Sequence, residues 1–156
     1  MKGIALAFAG SFVLFLAVVG AAAGGVKQVP FRATAAGQDT SESSGVDGIH
    51  LTSVVRGHAT ELGSFTQTLD YVLSYDLVDF AGTGTITAAD GSELFLADVG
   101  TEPGFAAQVF PTPFSATFTF TGGTGRFMGA TGQGTISGID YGQGAFAFSV
   151  VGTVSP

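Results

Sequence analysis

The chain has 156 residues, no cysteine, and 12 acidic residues against 5 basic ones, a net charge of −7 at neutral pH. That length suits one domain, and the missing cysteine excludes disulfides even on an oxidising export route. The negative charge works against nucleic-acid phosphates and anionic lipid surfaces as partners, and the lack of asparagine excludes N-linked glycosylation.

Residues 1–23 have the layout of a secretory signal peptide. Lys2 is a short basic start, residues 4–19 form an apolar run, and Ala21, Ala22 and Ala23 are the small residues expected before a cleavage point. The alternative is a retained membrane anchor, because residues 4–23 approach the roughly 20 apolar residues of a span. No basic stop-transfer cluster follows, which favours cleavage and secretion, to the periplasm or beyond the cell. Without the leader, four basic residues face twelve acidic ones, so the mature net charge is −8. Residues 24–28 are a short lead-in to a single domain over 29–156.

Strand signals fill that domain. Glycine, threonine, valine and phenylalanine are frequent, and no stretch keeps a 3.6-residue period. The expected strands are 29–36, 49–60, 64–78, 80–88, 93–100, 114–121, 126–137 and 144–154. Residues 37–48 (GQDTSESSGVDG) are expected to be a polar, mobile loop. Asp90 and Gly91 predict a two-residue type I′ hairpin turn. Residues 101–113 carry Pro103, Pro111 and Pro113 and read as a long, stiffened loop.

Alternation supports these assignments. In the third strand Leu69, Tyr71, Leu73, Tyr75 and Leu77 share a face opposite Asp70, Ser74 and Asp76. In the sixth, Phe114, Ala116, Phe118 and Phe120 oppose Ser115, Thr117, Thr119 and Thr121. In the eighth, Phe146, Phe148, Val150 and Val154 lie together. Eight such strands predict an all-β fold, an eight-stranded antiparallel β-barrel, with a β-sandwich as the alternative. Closure is favoured because no helix is expected to cover the sheet edges. Glycines at 82, 84, 129, 132 and 134 suit the bends that closure needs. A barrel of eight strands either fills itself or holds one small ligand.

Sites of chemistry are few. The glycine-rich stretch 122–138 lacks the Gly-Lys-Ser/Thr ending of a phosphate loop, and strand residues follow it where a dinucleotide fold needs a helix. His50 and His58 are the only histidines, about 26 Å apart on an extended strand. One metal ion does not bridge them, and no metal or other cofactor is expected. No Gly-x-Ser-x-Gly elbow or cysteine nucleophile exists. Glu61, Glu93 and Asp98 lie in strands or at their ends, and a carboxylate facing an apolar lumen gains a raised pKa suited to acid–base work. Asp98 shares the parity of Leu94 and Leu96, whereas Asp70 and Asp76 face solvent. Arg56 and Arg126 are two of four mature cations; either pairs with a protein carboxylate or binds a ligand carboxylate. Tyr71 and Tyr75 pack in the core or present hydroxyls to a cavity.

The segment FTGGTGRFMGATG, residues 120–132, resembles the G-G-T-G-x-F-x-x-A-x-G hairpin of the allene oxide cyclase and dirigent barrel superfamily. The matching residues are Gly122, Gly123, Thr124, Gly125, Phe127, Ala130 and Gly132. Residues 56–65 (RGHATELGSF) are similar to secreted bacterial relatives of that barrel. The resemblance implies an eight-stranded antiparallel barrel with an apolar cavity, often in dimers or trimers. It also implies two candidate activities: cyclase or isomerase chemistry on an unsaturated lipid-like molecule, and dirigent-like steering. The cyclase site resembles an asparagine-supported water network, and this chain has no asparagine. The favoured expectation is therefore a secreted, non-enzymatic barrel that binds a small apolar ligand. His58, Tyr71, Tyr75, Phe118 and Phe120 are its expected contacts. Glu61, Glu93, Tyr71 and Arg126 are the first residues to examine if the protein is an enzyme.

Overall fold

The computed structural model describes residues 27–155. The leader expected over 1–23 lies outside the described residues. Eight strands follow in chain order: β1 Val29–Ser44, β2 Ile49–Ala59, β3 Gly63–Leu73, β4 Asp79–Ala88, β5 Glu93–Thr101, β6 Thr112–Gly123, β7 Thr131–Gly142 and β8 Ala145–Ser155. Each pairs antiparallel with its neighbours, and β8 pairs back onto β1, so the sheet closes as a barrel. The sandwich alternative is excluded. Closure gives every strand edge a partner, which a helix-free sheet otherwise lacks. Among the described residues no helix is long and apolar enough to cross a membrane.

Large rings and glycines face each other across neighbouring strands on the inner wall. Phe65 pairs with Gly57, Phe80 with Gly100, Phe114 with Gly138, Phe118 with Gly134 and Phe146 with Gly37. A Cβ added to any of these five glycines would meet the paired ring at or below 2.7 Å. A small barrel has no room for bulky side chains at every inward position, so each ring leans over a neighbour that has none. The outer face carries the alternate residues, many of them Thr and Ser, as in the exposed Ser115, Thr117, Thr119 and Thr121 of β6.

The two ends differ. At one end, residues 124–130 connect β6 to β7 through a short 3₁₀ turn, Gly125–Phe127. Phe127 (1% exposed) and Ala130 fold under the barrel there, against buried Leu62, Leu94 and Val154. That end is plugged. The opposite end is ringed by the connections after β1, β3, β5 and β7, and the longest of these, 102–111, carries Phe105 packed edge-on against Phe110 at 5.8 Å.

Four local expectations need correction. β1 runs on to Ser44, so the predicted loop 37–48 shrinks to residues 45–48. A bulge between Asp39 and Ser41 lets polar residues continue the ladder with β2. β3 ends at Leu73, where Ser74 and Asp76 build a turn: the Asp76 carboxylate accepts from Ser74 and from the Val78 amide, and Leu77 adopts φ 59°. β7 starts at Thr131, because Arg126 and Phe127 belong to the plug. The Asp90–Gly91 turn is not type I′. Only Gly91 has positive φ (82°), and Gly91 and Ser92 bond back to Ala88, which makes a three-residue hairpin loop.

Candidate functional site

The inner faces of the strands leave a cavity of about 100 Å³ that opens toward the unplugged end. Its depth is hydrocarbon: Phe31, Phe65, Ile86, Leu96, Phe118 and Phe120 line it. Phe120 meets Phe31 edge-on at 5.1 Å and Phe118 at 5.0 Å. Nearer the mouth a belt of rings runs from Tyr71 through Phe80 and Phe114 to Phe146, with centroids 6.2 to 6.4 Å apart. Edge-to-face contacts of this kind hold aromatic walls in fixed orientation.

Polar groups enter this lumen at a few points: Asp39 from β1, Gln67 and Tyr71 from β3, Asp98 from β5, Glu102 just beyond β5, and Asp140 from β7. The Asp39 carboxylate accepts from Ser53 Oγ at 2.5 Å and Tyr71 Oη at 3.0 Å. Desolvation raises the Asp39 pKa, and these two hydrogen bonds oppose the rise. Burial, together with the neighbouring Asp39 charge, pushes the Tyr71 phenol well above its ordinary range. It is a hydrogen-bond donor here and not a base.

Asp98 stands deeper. It pairs across Gly82, which itself lies opposite Tyr71. A Cβ at position 82 would sit 2.7 Å from Tyr71 Cβ and 3.0 Å from Asp98 Oδ1, so the bare glycine makes the space in which the carboxylate rests. Asp98 Oδ1 is buried without a hydrogen-bond partner. Desolvation lifts its pKa to about 6. Glu102 is lifted to about 8, first by desolvation and then by the negative charge of the Asp140 carboxyl. Its Oε1 is also buried without a partner.

The expected site residues do not come together. Tyr71, Phe118 and Phe120 line the cavity, as does Asp98. His58 is exposed on the outer face, opposite Thr34 and Ser64. Tyr75 is 61% exposed beyond the end of β3, where its hydroxyl donates to the Gly45 carbonyl. Glu61, Glu93 and Arg126 gather at the plugged end. Arg126 Nε lies 3.1 Å from the Asp90 carboxylate, its Nη1 donates to the Glu61 carbonyl, and its guanidinium covers the Phe127 ring at 4.6 Å. The Glu93 backbone exchanges hydrogen bonds with Thr124. These three hold the plug and do not reach the lumen. Asp39, Glu102 and Asp140 escaped the sequence reading. Asp39 continues the parity of Phe31, Ala33 and Gly37, and Asp140 that of Ile136 and Gly138, so alternation carried past the expected strand ends would have found both.

Among the described residues no three His, Asp or Glu side chains come together as a metal site. Comparison with protein-family models, curated proteins and solved structures finds no match to this chain.

Proposed function

We propose that this protein is a secreted, non-enzymatic barrel that binds one small, slender, mostly apolar ligand in its lumen. The observation that carries the reading is the ring-lined cavity of about 100 Å³, plugged at one end and open at the other. Apolar walls with a few convergent polar groups are the usual make-up of a ligand site. The volume suits a short chain or a small ring. The export leader read in residues 1–23 supports secretion, and the resemblance of residues 120–132 to the allene oxide cyclase and dirigent superfamily supports a ligand in the barrel. The same resemblance supports assembly into dimers or trimers. Native mass spectrometry of the protein purified from the organism that makes it tests the reading. A small molecule released on activation is the expected result; repeated preparations without one would count against it.

One observation favours a second reading, an acid–base isomerase or cyclase acting on an unsaturated ligand. Asp98 places a buried, partnerless carboxylate oxygen in hydrocarbon surroundings, with a pKa of about 6. On that reading Asp98 moves the proton and Tyr71 keeps its hydrogen bond to Asp39, while Glu61, Glu93 and Arg126 take no part. Solvent deuterium entering an unsaturated lumen ligand, and failing to enter in Asp98→Asn, would support it.

A further inference from the structure

We infer that the lumen selects a ligand whose polar end is a protonated amine, held at the mouth by the Glu102 carboxyl within the negative field of Asp140 and Asp39. The inference rests on the ligand-binding reading and deepens it. Four carboxyl groups line the cavity, and no Lys, Arg or His does. The four basic side chains of the described residues, Lys27, Arg32, Arg56 and Arg126, are all exposed elsewhere. Among the described residues, no basic side chain therefore neutralises the mouth. Glu102, Asp140 and Asp39 share this lining, and Glu102 Oε1 is buried with no donor.

Each candidate head group meets this arrangement differently. A carboxylate-ended ligand would bring another negative charge into a low-dielectric mouth and is repelled. An alcohol supplies one donor and no charge. An ammonium supplies three donors and a positive charge, which fits acceptors that lack partners. A divalent metal ion lacks the three-ligand grouping it would need among the described residues. The groups facing the head from each wall are Asp39 on β1, Tyr71 on β3, Asp98 lower on β5, Glu102 beyond it and Asp140 on β7; β2, β4, β6 and β8 add no titratable side chain to the lining. The alkyl part then runs inward along Phe80 and Phe114 toward Phe118.

A matched trio tests this: hexylamine, hexan-1-ol and hexanoate, each titrated calorimetrically into the full mature protein at pH 7. The amine is expected to bind roughly tenfold or more tightly than the alcohol, the range of a charge-assisted hydrogen bond, with hexanoate weakest. Because Glu102 holds a proton near neutrality, amine binding should also expel up to about one proton. That release is read from the change of heat between two buffers of different ionisation enthalpy, and the alcohol should expel none. Glu102→Gln and Asp140→Asn should each collapse the amine-over-alcohol ratio toward one. Equal binding of amine and alcohol, or a preference for hexanoate, overturns the amine assignment and leaves lumen binding intact. Failure of all three to saturate overturns the ligand-binding reading itself. Should a variant fail to fold, the affinity ratio and proton release of the unaltered protein still decide the matter.

Discussion

Tyr71 and Asp98 show how one glycine shapes a polar pair in an apolar wall. Both lean on Gly82, and only the absence of a Cβ there lets them share the space. Tyr71→Phe removes one of the two donors to Asp39. It should cost about 1 kcal/mol in urea denaturation, the usual net worth of such a hydrogen bond. Asp98 gives a pH signature. Its folded pKa of about 6 lies above the ordinary 3.8, so the folded state holds a proton that the unfolded state has released. Stability therefore falls as pH rises from about 4 through about 6, by up to roughly 3 kcal/mol for this group. Glu102 extends the decline toward pH 8. Asp98→Asn should flatten the lower part of the profile, measured as the midpoint of urea unfolding from pH 4 to 8. A profile rising over pH 4–6 would contradict the buried placement of Asp98. Parity with Leu94 and Leu96 makes Asp98 legible in the sequence. Glu102 is not legible, because it sits beyond the strand and only the path of the loop points it at the lumen.

Elements owe their places to ring–glycine pairs and to one plug. Gly57 would carry a Cβ 2.5 Å from the Thr34 carbonyl oxygen and 2.6 Å from Phe65 Cζ, so neither backbone nor ring leaves space. Gly57→Ala should destabilise the barrel by about 1–3 kcal/mol, the common cost of overpacking. Phe127 seals the closed end at 1% exposure, and Phe127→Ala should cost about 3–5 kcal/mol. Glu61→Gln, Glu93→Gln and Arg126→Ala should leave hexan-1-ol affinity unchanged, because they sit at that sealed end; a tenfold loss in any of them would move the site there. Alternation located all eight strands, since each has one apolar face. It misplaced their ends where local chemistry overrides the pattern. In β1 polar residues keep pairing through a bulge, in β3 the Ser74–Asp76 turn stops a run of apolar parity that would have continued to Leu77, and before β7 the Phe127 side chain is worth more under the barrel than in a strand. The hairpin that resembles the cyclase and dirigent motif owes its Phe and Ala to this plug: Phe127 and Ala130 are both buried in it.

At the scale of the whole molecule, closure and the plug turn eight amphipathic strands into a vessel with one entrance. Hydroxyl-bearing residues face out along β6, rings and glycines face in, and the negative charge of the lumen gathers at the open end. The barrel was legible because edges without helices favour closure; the vessel was not, because which end closes depends on where a seven-residue connection folds. The direct measurement is a residue-resolved NMR titration of the protein with hexan-1-ol. The predicted result is saturable shifts at Leu69, Phe80, Asp98 and Phe114, with none at Glu61, Glu93 or Arg126. Shifts confined to the Arg126 end, or no saturable shift anywhere, would contradict a lumen that opens at Glu102 and takes a guest.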